Sequence, residues 1–485
     1  MRFQTLRGFR DYLPADASAR RLLFDTVREV SRSFGFEEVE TPSVEGIDLF
    51  KVKSGDAIVA ETFSFTDKGG REVTLVPEIT PSVARMYVDR AKIEPLPVKW
   101  FSIQRLWRYE EPQSGRTREF SQVNLDILGV PGIEADLEVL SVTREIMERI
   151  GLNGRYVIRV SDRRLAEGLG RSLGARETAP FFRALDRREK ISKTEFRGEL
   201  TAAGLTDEAC QRLEDLLERC GTGLGPSEAK PVLESLKGWD AMGPEGTAGT
   251  DNLLALLERA AGTGLEGALL FDPSLIRGLA YYTSTVFEVW AKQGQVRALF
   301  GGGRYDRLVE LFGGPSVPAC GIAMGDQTLE ILLREAGLWP EKAPGLEVYI
   351  ATVDAALVPQ ARAWAMRLRE QGMVADYDLL TRPLARQMKE GARRGAPWLL
   401  LLGPRELEKG EVTVRNMRTG QQVAVAASEV AGWIRSASAS EAPGPAPARS
   451  PAPPTDPSDA GTPGPRGSPS GGAAGARGPP SKGSG

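Results

Sequence analysis

The chain of 485 residues is 41% apolar and 26% charged with a formal net charge of −3, which excludes wholesale disorder and a generally basic nucleic-acid coat, so any polyanion must be held by local patches. It contains no histidine, which removes Ser-His-Asp triads, Cys-His nucleophiles and His-ligated zinc, and its cysteines, Cys210, Cys220 and Cys320, form no C-x-x-C pair. At roughly 150 residues per domain the length implies about three domains, and no apolar run approaches the ~18 residues of a membrane span, so a cytoplasmic protein is expected.

In chain order, Leu23, Val27, Val30 and Phe34 recur at helical spacing and predict a helix over 18–34, stopped by Gly35. The strand FEEVETP follows, and FSFTD and REVTLVPE flank Lys68, Gly69 and Gly70 as a hairpin. Thr80 and Pro81 then read as the cap and first-turn residue of a helix. Two long strands, near 98–109 and 118–128, are joined by the polar loop EEPQSGR, and hairpins interleaved with helices give an α+β pattern. Short Leu- and Glu-rich helical segments mark a helical insertion over 166–262, dividing the sheet domain into 1–165 and 263–340. GTGLEG at 262–267 matches G-x-G-x-x-G, but it follows a helical pattern and reads as a linker. Strand signals return at 281–290 and 296–300, followed by GGGRYD and a helix near 327–335. Residues 344–436 alternate strands with helices and predict a compact, mainly parallel α/β domain with a hairpin turn at Thr419 and Gly420. The last 49 residues, 437–485, contain no Leu, Ile, Val, Met or aromatic residue and are expected to form a disordered tail.

Side chains alternate along REFSQVNLDILG, so Val123, Leu125 and Ile127 share one face, while Phe120, Gln122, Asn124 and Asp126 share the other with Arg118. Such a polar face alone is as readily solvated as functional. The preceding strand ends in Arg108, Tyr109, Glu110 and Glu111, and the loop adds Gln113, Arg116 and Arg118. Guanidinium forks in that density suit a phosphate-bearing ligand, with a salt-bridged surface hairpin as the bland rival. Glu78 and Thr80 end an apolar strand, and Arg277 stands in LIRGLAYYT just before Tyr281 and Tyr282. GGGRYD at 301–306 allows close backbone approach to a ligand but lacks the spacing of a phosphate loop.

Several of these stretches together resemble class II aminoacyl-tRNA synthetases, and among them the histidyl-tRNA synthetases of the archaeal kind, over about 1–435. GFEEVETPSVE resembles the dimer-forming first motif, WRYEEPQSGRTREFSQ the ATP-holding second motif, and LIRGLAYYTSTVFE the histidine-specific signature. The resemblance implies an antiparallel catalytic sheet with a helical insertion, then an anticodon-binding domain at 344–436. It also implies a homodimer that uses ATP with Mg²⁺, L-histidine and tRNA(His). Residue by residue it implies Glu78, Thr80 and Gln122 on the α-ammonium, Asp126 and Tyr282 on the imidazole, and Tyr281 lining the pocket. Arg108 and Arg277 would contact the α-phosphate as the catalytic pair, with Glu110 near the adenine, Phe120 stacked on it, and Arg116 beside the phosphates. Gln113 and Arg116, with Arg386, Lys389 and Arg393, would meet tRNA, and no metal-holding side chain is assigned.

Two departures stand out. Thr328 occupies the place of the arginine that ends the third motif, which leaves Arg277, Arg116 or metal ions to compensate, and position 280 is Ala where bacterial members carry Asp. Alternatives that remain open are the non-catalytic regulatory subunit of ATP phosphoribosyltransferase and a class II synthetase for another amino acid. A histidine-free enzyme suits the implied chemistry, because a carboxylate nucleophile needs no protein base, only positive charge arranged around the reacting phosphate.

Overall fold

Period-two alternation in the long hairpin is what builds the larger part of the protein. The computed structural model describes residues 3–54, 56–276, 281–296, 298–340 and 345–441, and the chain divides into two units, Met1–Pro344 and Gly345–Gly485. In the first unit Val98–Trp107 and Glu119–Leu128 pair antiparallel along their lengths inside an eight-stranded sheet. The strand order is Glu37–Glu38, Val98–Trp107, Glu119–Leu128, Ala319–Gly325, Ala298–Arg304, Thr285–Ala291, Tyr156–Asp162 and Leu269–Phe271. The inner pairings are antiparallel and the outermost pairing at each edge is parallel. Tyr156–Asp162 has no counterpart among the sequence expectations: it is buried on both faces, so it shows no alternation.

One face of the sheet carries Val123, Leu125 and Ile127 against Leu23, Val27 and Val30 of helix Pro14–Ser33 and Val139, Leu140 and Ile146 of helix Glu134–Arg149. Each side chain buried this way contributes roughly 1.5–3 kcal/mol. The first helix starts at Pro14, ahead of the expected 18, because proline's fixed φ and missing N–H suit a first turn. On the other face Trp100 and Leu106 pack with Val83 and Tyr87 of helix Thr80–Arg90 and with Tyr282 and Tyr305. The polar residues of this face are therefore covered: Gln122, Asn124 and Asp126 expose 7%, 1% and 3% of their surface, which rules out a solvated face. Thr80 does not cap its helix. Ile79 holds the cap position without a side-chain bond, and the Thr80 hydroxyl instead accepts from Asn124 Nδ2 at 3.4 Å.

A buried ion pair ties helix Glu134–Arg149 to the sheet. Arg304 donates to Asp136 of helix Glu134–Arg149 at 2.5 Å and to the carbonyls of Val130 at 2.9 Å and Gly132 at 2.7 Å. Burial opposes the charge on Arg304, but the Asp136 carboxylate outweighs it, and the guanidinium is held above its ordinary pKa. The expected hairpin around Gly70 forms two strands of a separate three-stranded sheet, Val44–Gly46, Glu72–Leu75 and Ser64–Thr66. Six helices run from Arg163–Ser172 to Gly243–Arg259. The first and last of these meet at Gly168 and Gly246, where a Cβ on Gly246 would lie 2.9 Å from the Gly168 backbone.

In the second unit the strand order is Ala375–Tyr377, Val348–Thr352, Trp398–Leu402, Glu411–Asn416 and Gln422–Ala426, with the first three parallel and the last two antiparallel. Its turn is the expected one: Asn416 Oδ1 accepts the amides of Arg418 at 2.9 Å and Thr419 at 3.0 Å, and Gly420 takes φ +78°. The boundary of the tail shifts. Helix Val430–Glu441 continues past 436, and Trp398 Nε1 donates to Ser438 Oγ at 2.8 Å, so 437–441 belong to the folded unit. The rest of the expected tail, 442–485, lies outside the described residues.

Candidate active site

Over the covered polar face of the sheet opens a cavity of about 700 Å³. Glu78, Thr80, Gln122, Tyr281 and Tyr282 line it together with Arg108, Glu110, Arg116 and Phe120. Strand alternation sets their order: Gln122 lies deep in the sheet, and Phe120, two residues earlier and on the same face, lies toward the loop. Arg108 donates Nε to the Pro77 carbonyl at 2.9 Å, and its guanidinium stands 5.3 Å from the Phe120 ring centre. Glu110 is shared between Arg108 at 3.7 Å and Arg116 at 3.3 Å, so the hairpin holds its own cations in place. Gln113 and Arg116 exchange backbone bonds of 3.0 and 2.9 Å around Gly115, which takes φ +76°, and this closes the loop.

Asp126, which the family resemblance implies at the imidazole, is 3% exposed and does not itself line the cavity. Its carboxylate accepts a hydrogen bond from the Tyr305 hydroxyl. Burial, then the Asp126 carboxylate, push the Tyr305 phenol well above its usual range, so it stays a proton donor. Tyr305 in turn meets Tyr281 edge to face at 5.8 Å, and Tyr281 lies 4.6 Å from Tyr282. Tyr305 is thus the link between the buried carboxylate and the cavity wall. In sequence, GGGRYD signals only its glycines, and nothing local marks this tyrosine.

The glycines serve protein groups more than a ligand. A Cβ on Gly303 would lie 3.0 Å from the Tyr282 ring, and one on Gly321 would lie 2.6 Å from both Asp126 Oδ1 and Tyr305 Oη. Of the GGGRYD glycines, only Gly301 reaches the wall among the described residues.

Part of the wall has no counterpart in the sequence expectations. Arg159 donates to Asp272 at 3.2 Å and to Glu189 of the helical insertion at 3.0 Å, with its guanidinium 3.8 Å from the Trp290 ring centre. These residues come from four separated stretches, which no local motif brings together. Thr328, at the place where an arginine was expected, donates to the Leu299 carbonyl at 2.8 Å. Arg118, expected in line with the polar face, precedes the strand and stacks 4.2 Å from the Tyr109 ring centre instead. Arg277 and Ala280 lie outside the described residues. Among the described residues no group of three His, Cys, Asp or Glu side chains converges as a metal site.

In the second unit helix Leu384–Arg393 is pinned by buried Gln387, whose Oε1 accepts the Thr352 amide at 2.9 Å and whose Nε2 donates to the Thr352 carbonyl at 3.1 Å. That leaves Arg386, Lys389 and Arg393 exposed. Arg393 is paired with Glu390 at 2.5 Å, whereas Arg386 and Lys389 make no ion pair among the described residues.

Residues 8–329 match the family model for histidyl-tRNA synthetase and residues 347–437 that for an anticodon binding domain. A histidine--tRNA ligase of Thermoplasma volcanium is 36% identical over 436 residues, 90% of this chain and 99% of that relative. One from Haloarcula marismortui is 39% identical over 433 residues, 89% of this chain and 97% of the relative. The crystal structure of histidyl-tRNA synthetase from Nostoc sp. PCC 7120 shares the fold, with a TM-score of 0.76 at 23% identity over 90% of this chain and all of that one.

Proposed function

The chain belongs to the histidyl-tRNA synthetase family and is a histidine–tRNA ligase, and from that premise we propose how its residues divide the work. The deep end of the cavity, with Glu78, Thr80 and Gln122, takes the α-ammonium of L-histidine, and Tyr281 and Tyr282 take its ring. Tyr305 and Asp126 support those tyrosines from below and supply the acceptor that a ring N–H requires. The hairpin end takes ATP, with Phe120 and Glu110 at the adenine and Arg108, Arg116 and Arg277 at the phosphates.

In this reading one carboxylate oxygen of histidine attacks the α-phosphorus, the bond from that phosphorus to the bridging oxygen breaks, and pyrophosphate leaves. Arg108 is already oriented by the Pro77 carbonyl, so it meets the developing charge without reorganising. A ribose hydroxyl of the tRNA's last nucleotide then attacks the carbonyl carbon. AMP departs, and the hydroxyl proton passes to a phosphate oxygen of the adenylate. Mg²⁺ would come with the nucleotide, since one or two carboxylates with substrate phosphates suffice for it, and would supply positive charge toward the leaving pyrophosphate.

Binding of the tRNA(His) anticodon falls to residues 347–437 and its acceptor end to Gln113 and Arg116. We also propose a homodimer in the cytoplasm. Large apolar side chains left exposed on the small sheet and ahead of the first helix, among them Val44, Phe65, Phe3 and Leu13, favour an apolar partner surface. Sedimentation that returns a monomer at working concentration would remove that part.

The observation that carries the whole reading is one cavity lined by both an amide-and-carboxylate end and an arginine hairpin. ATP–pyrophosphate exchange with purified protein and each amino acid in turn tests it: exchange with histidine alone is expected. Exchange with another amino acid, or with none, would return the rival readings, a different synthetase or a non-catalytic subunit.

A further inference from the structure

No residue of the segment Leu6–Tyr12 itself lines the cavity, yet the segment is bonded to both elements that would flank a triphosphate. The first is the arginine hairpin. The Gly8 carbonyl accepts the amides of Arg118 at 2.9 Å and Glu119 at 3.2 Å, and Arg7 pairs with Glu111. Phe9 packs edge to face on Phe63 at 5.9 Å, and Phe63 on Tyr109 at 5.1 Å. The approach is as close as a glycine permits: Gly8 takes φ +85°, and a Cβ there would lie 2.7 Å from Arg118 Cγ. The second element is the start of helix Asp326–Glu335. Arg10 pairs with Glu330, and the Tyr12 hydroxyl accepts from Gln327 at 3.3 Å, while the Arg10 and Arg20 guanidiniums stand 4.3 and 3.9 Å from the Tyr12 ring centre.

We infer that Arg7, Gly8, Phe9 and Tyr12 form a strap of positioning residues that fixes the arginine hairpin and the Gln327–Thr328 wall relative to one another for ATP. The hairpin needs such a strap. Much of its loop is exposed, and beyond the strand ends, where Arg118 donates Nε to the Glu110 carbonyl at 3.1 Å and stacks on Tyr109, it is closed by the Gln113–Arg116 backbone pair and the shared Glu110 carboxylate. Guanidinium groups stabilise a transition state in proportion to how well they are held before it forms. Two walls separated by some two hundred residues in sequence are both bonded to the same few residues near the start of the chain, so a shift of the strap moves the arginines and the helix start together. Among the described residues no hydrogen bond or ion pair joins the strap to Thr80 or Gln122, so KM for histidine serves as the internal control.

The inference rests on the assignment of the hairpin end to ATP, and the experiment separates the two. Pyrophosphate exchange is measured on the full chain with ATP and histidine varied in turn. Gly8→Ala is expected to raise KM for ATP about tenfold, because a displacement of order 1 Å in a positioning element is enough for that. KM for histidine should stay within about twofold and the melting temperature within a few degrees. Arg7 and Glu111 are both exposed, so Arg7→Glu does not threaten folding; it should raise KM for ATP by about two- to fourfold, and adding Glu111→Arg should restore it. A rise in both KM values together, or an unchanged KM for ATP with no rescue by the charge exchange, overturns the strap. If Arg108→Ala leaves exchange untouched, the ATP assignment itself fails; if Arg108→Ala impairs exchange while the Gly8 and Arg7 variants do not, the strap alone fails.

Discussion

Arginines serve the two units in opposite ways. In the first they are drawn into the structure: Arg304 lies under the sheet with Asp136, Arg159 lies between Asp272, Glu189 and a tryptophan face, and Arg108 is fixed by a backbone carbonyl. In the second the cations of helix Leu384–Arg393 stay in water, the helix being pinned instead by the neutral amide of Gln387. A buried charge contributes position, because removing it leaves a desolvated partner behind. An exposed one contributes field, which salt screens. A small reacting group needs the first kind and a polyanion the second.

The comparison breaks most visibly at Arg304. Arg304→Met should lower unfolding free energy by about 3–5 kcal/mol, since Asp136 is then buried without a counter-charge, and denaturant titration reads it. Arg304→Met with Asp136→Leu should recover most of that loss. A double variant as unstable as the single one would mean that the site needs the carbonyl bonds of Val130 and Gly132 more than the ion pair.

Next in size is Arg108→Ala, for which pyrophosphate exchange should fall about 100-fold with little change in stability, the usual consequence of losing one preorganised donor to a transition state. A decrease of only a few-fold would move Arg108 from the reacting phosphate to the structural role it shares with Pro77. Lys at this position should rescue poorly, since a point charge cannot hold both Pro77 and a phosphate oxygen in the same fork.

How far the sequence could be read follows from the same physics. Local alternation located Glu119–Leu128 and sorted its faces, because a strand's side chains obey a fixed period whatever packs on them. It could not say that the polar face was covered, since the cover comes from Tyr282 and Tyr305 far along the chain. The motif stretches brought Arg108, Glu110, Arg116, Phe120 and Gln122 to one wall, as the family resemblance implied. Arg159, Asp272, Glu189 and Trp290 are illegible for the converse reason: each is unremarkable in its own segment, and they meet only because Tyr156–Asp162 pairs with Thr285–Ala291 on one side and Leu269–Phe271 on the other while the helical insertion brings Glu189. Thr80 fits the pattern of a cap, a hydroxyl before a proline, but in the structure its hydroxyl accepts from Asn124 across the helix–sheet interface.

Tyr305→Phe sharpens the view that Asp126 acts through a neighbour. Loss of one bond to a buried carboxylate, at about 1.5 kcal/mol, should raise KM for histidine roughly tenfold while KM for ATP stays within about twofold. Asp126→Asn should act in the same direction but more weakly, because the amide oxygen can still accept from the phenol while the charge that strengthens that bond is lost. If Tyr305→Phe is silent and Asp126→Asn is not, the carboxylate reaches the substrate without the tyrosine.

The smallest effect expected lies in the second unit and is the one that salt should reveal. Between residues 344 and 436 there are thirteen Lys and Arg against ten Asp and Glu, a local excess in a chain of net charge −3. Most cations around helix Leu384–Arg393 are already engaged: Arg382 with Asp378 at 2.5 Å, Arg393 with Glu390 at 2.5 Å, and Arg394 with Asp376. Arg386 and Lys389 are exposed and make no ion pair among the described residues, so they are the ones whose charge is available to a phosphate. Arg386→Ala and Lys389→Ala should each raise KM for tRNA by about two- to fourfold at physiological salt. Each should also reduce the slope of log affinity against log salt by about 0.7–0.9, the contribution of one neutralised phosphate. Histidine-dependent pyrophosphate exchange, which involves no tRNA, should not change. Arg393→Ala provides the contrast, because removing a cation that is tied to Glu390 frees a carboxylate as it removes a guanidinium. If Arg393→Ala matches the other two in both KM and salt slope, ion pairing within the helix does not decide which cations tRNA meets, and the distinction between engaged and available charge fails in this unit.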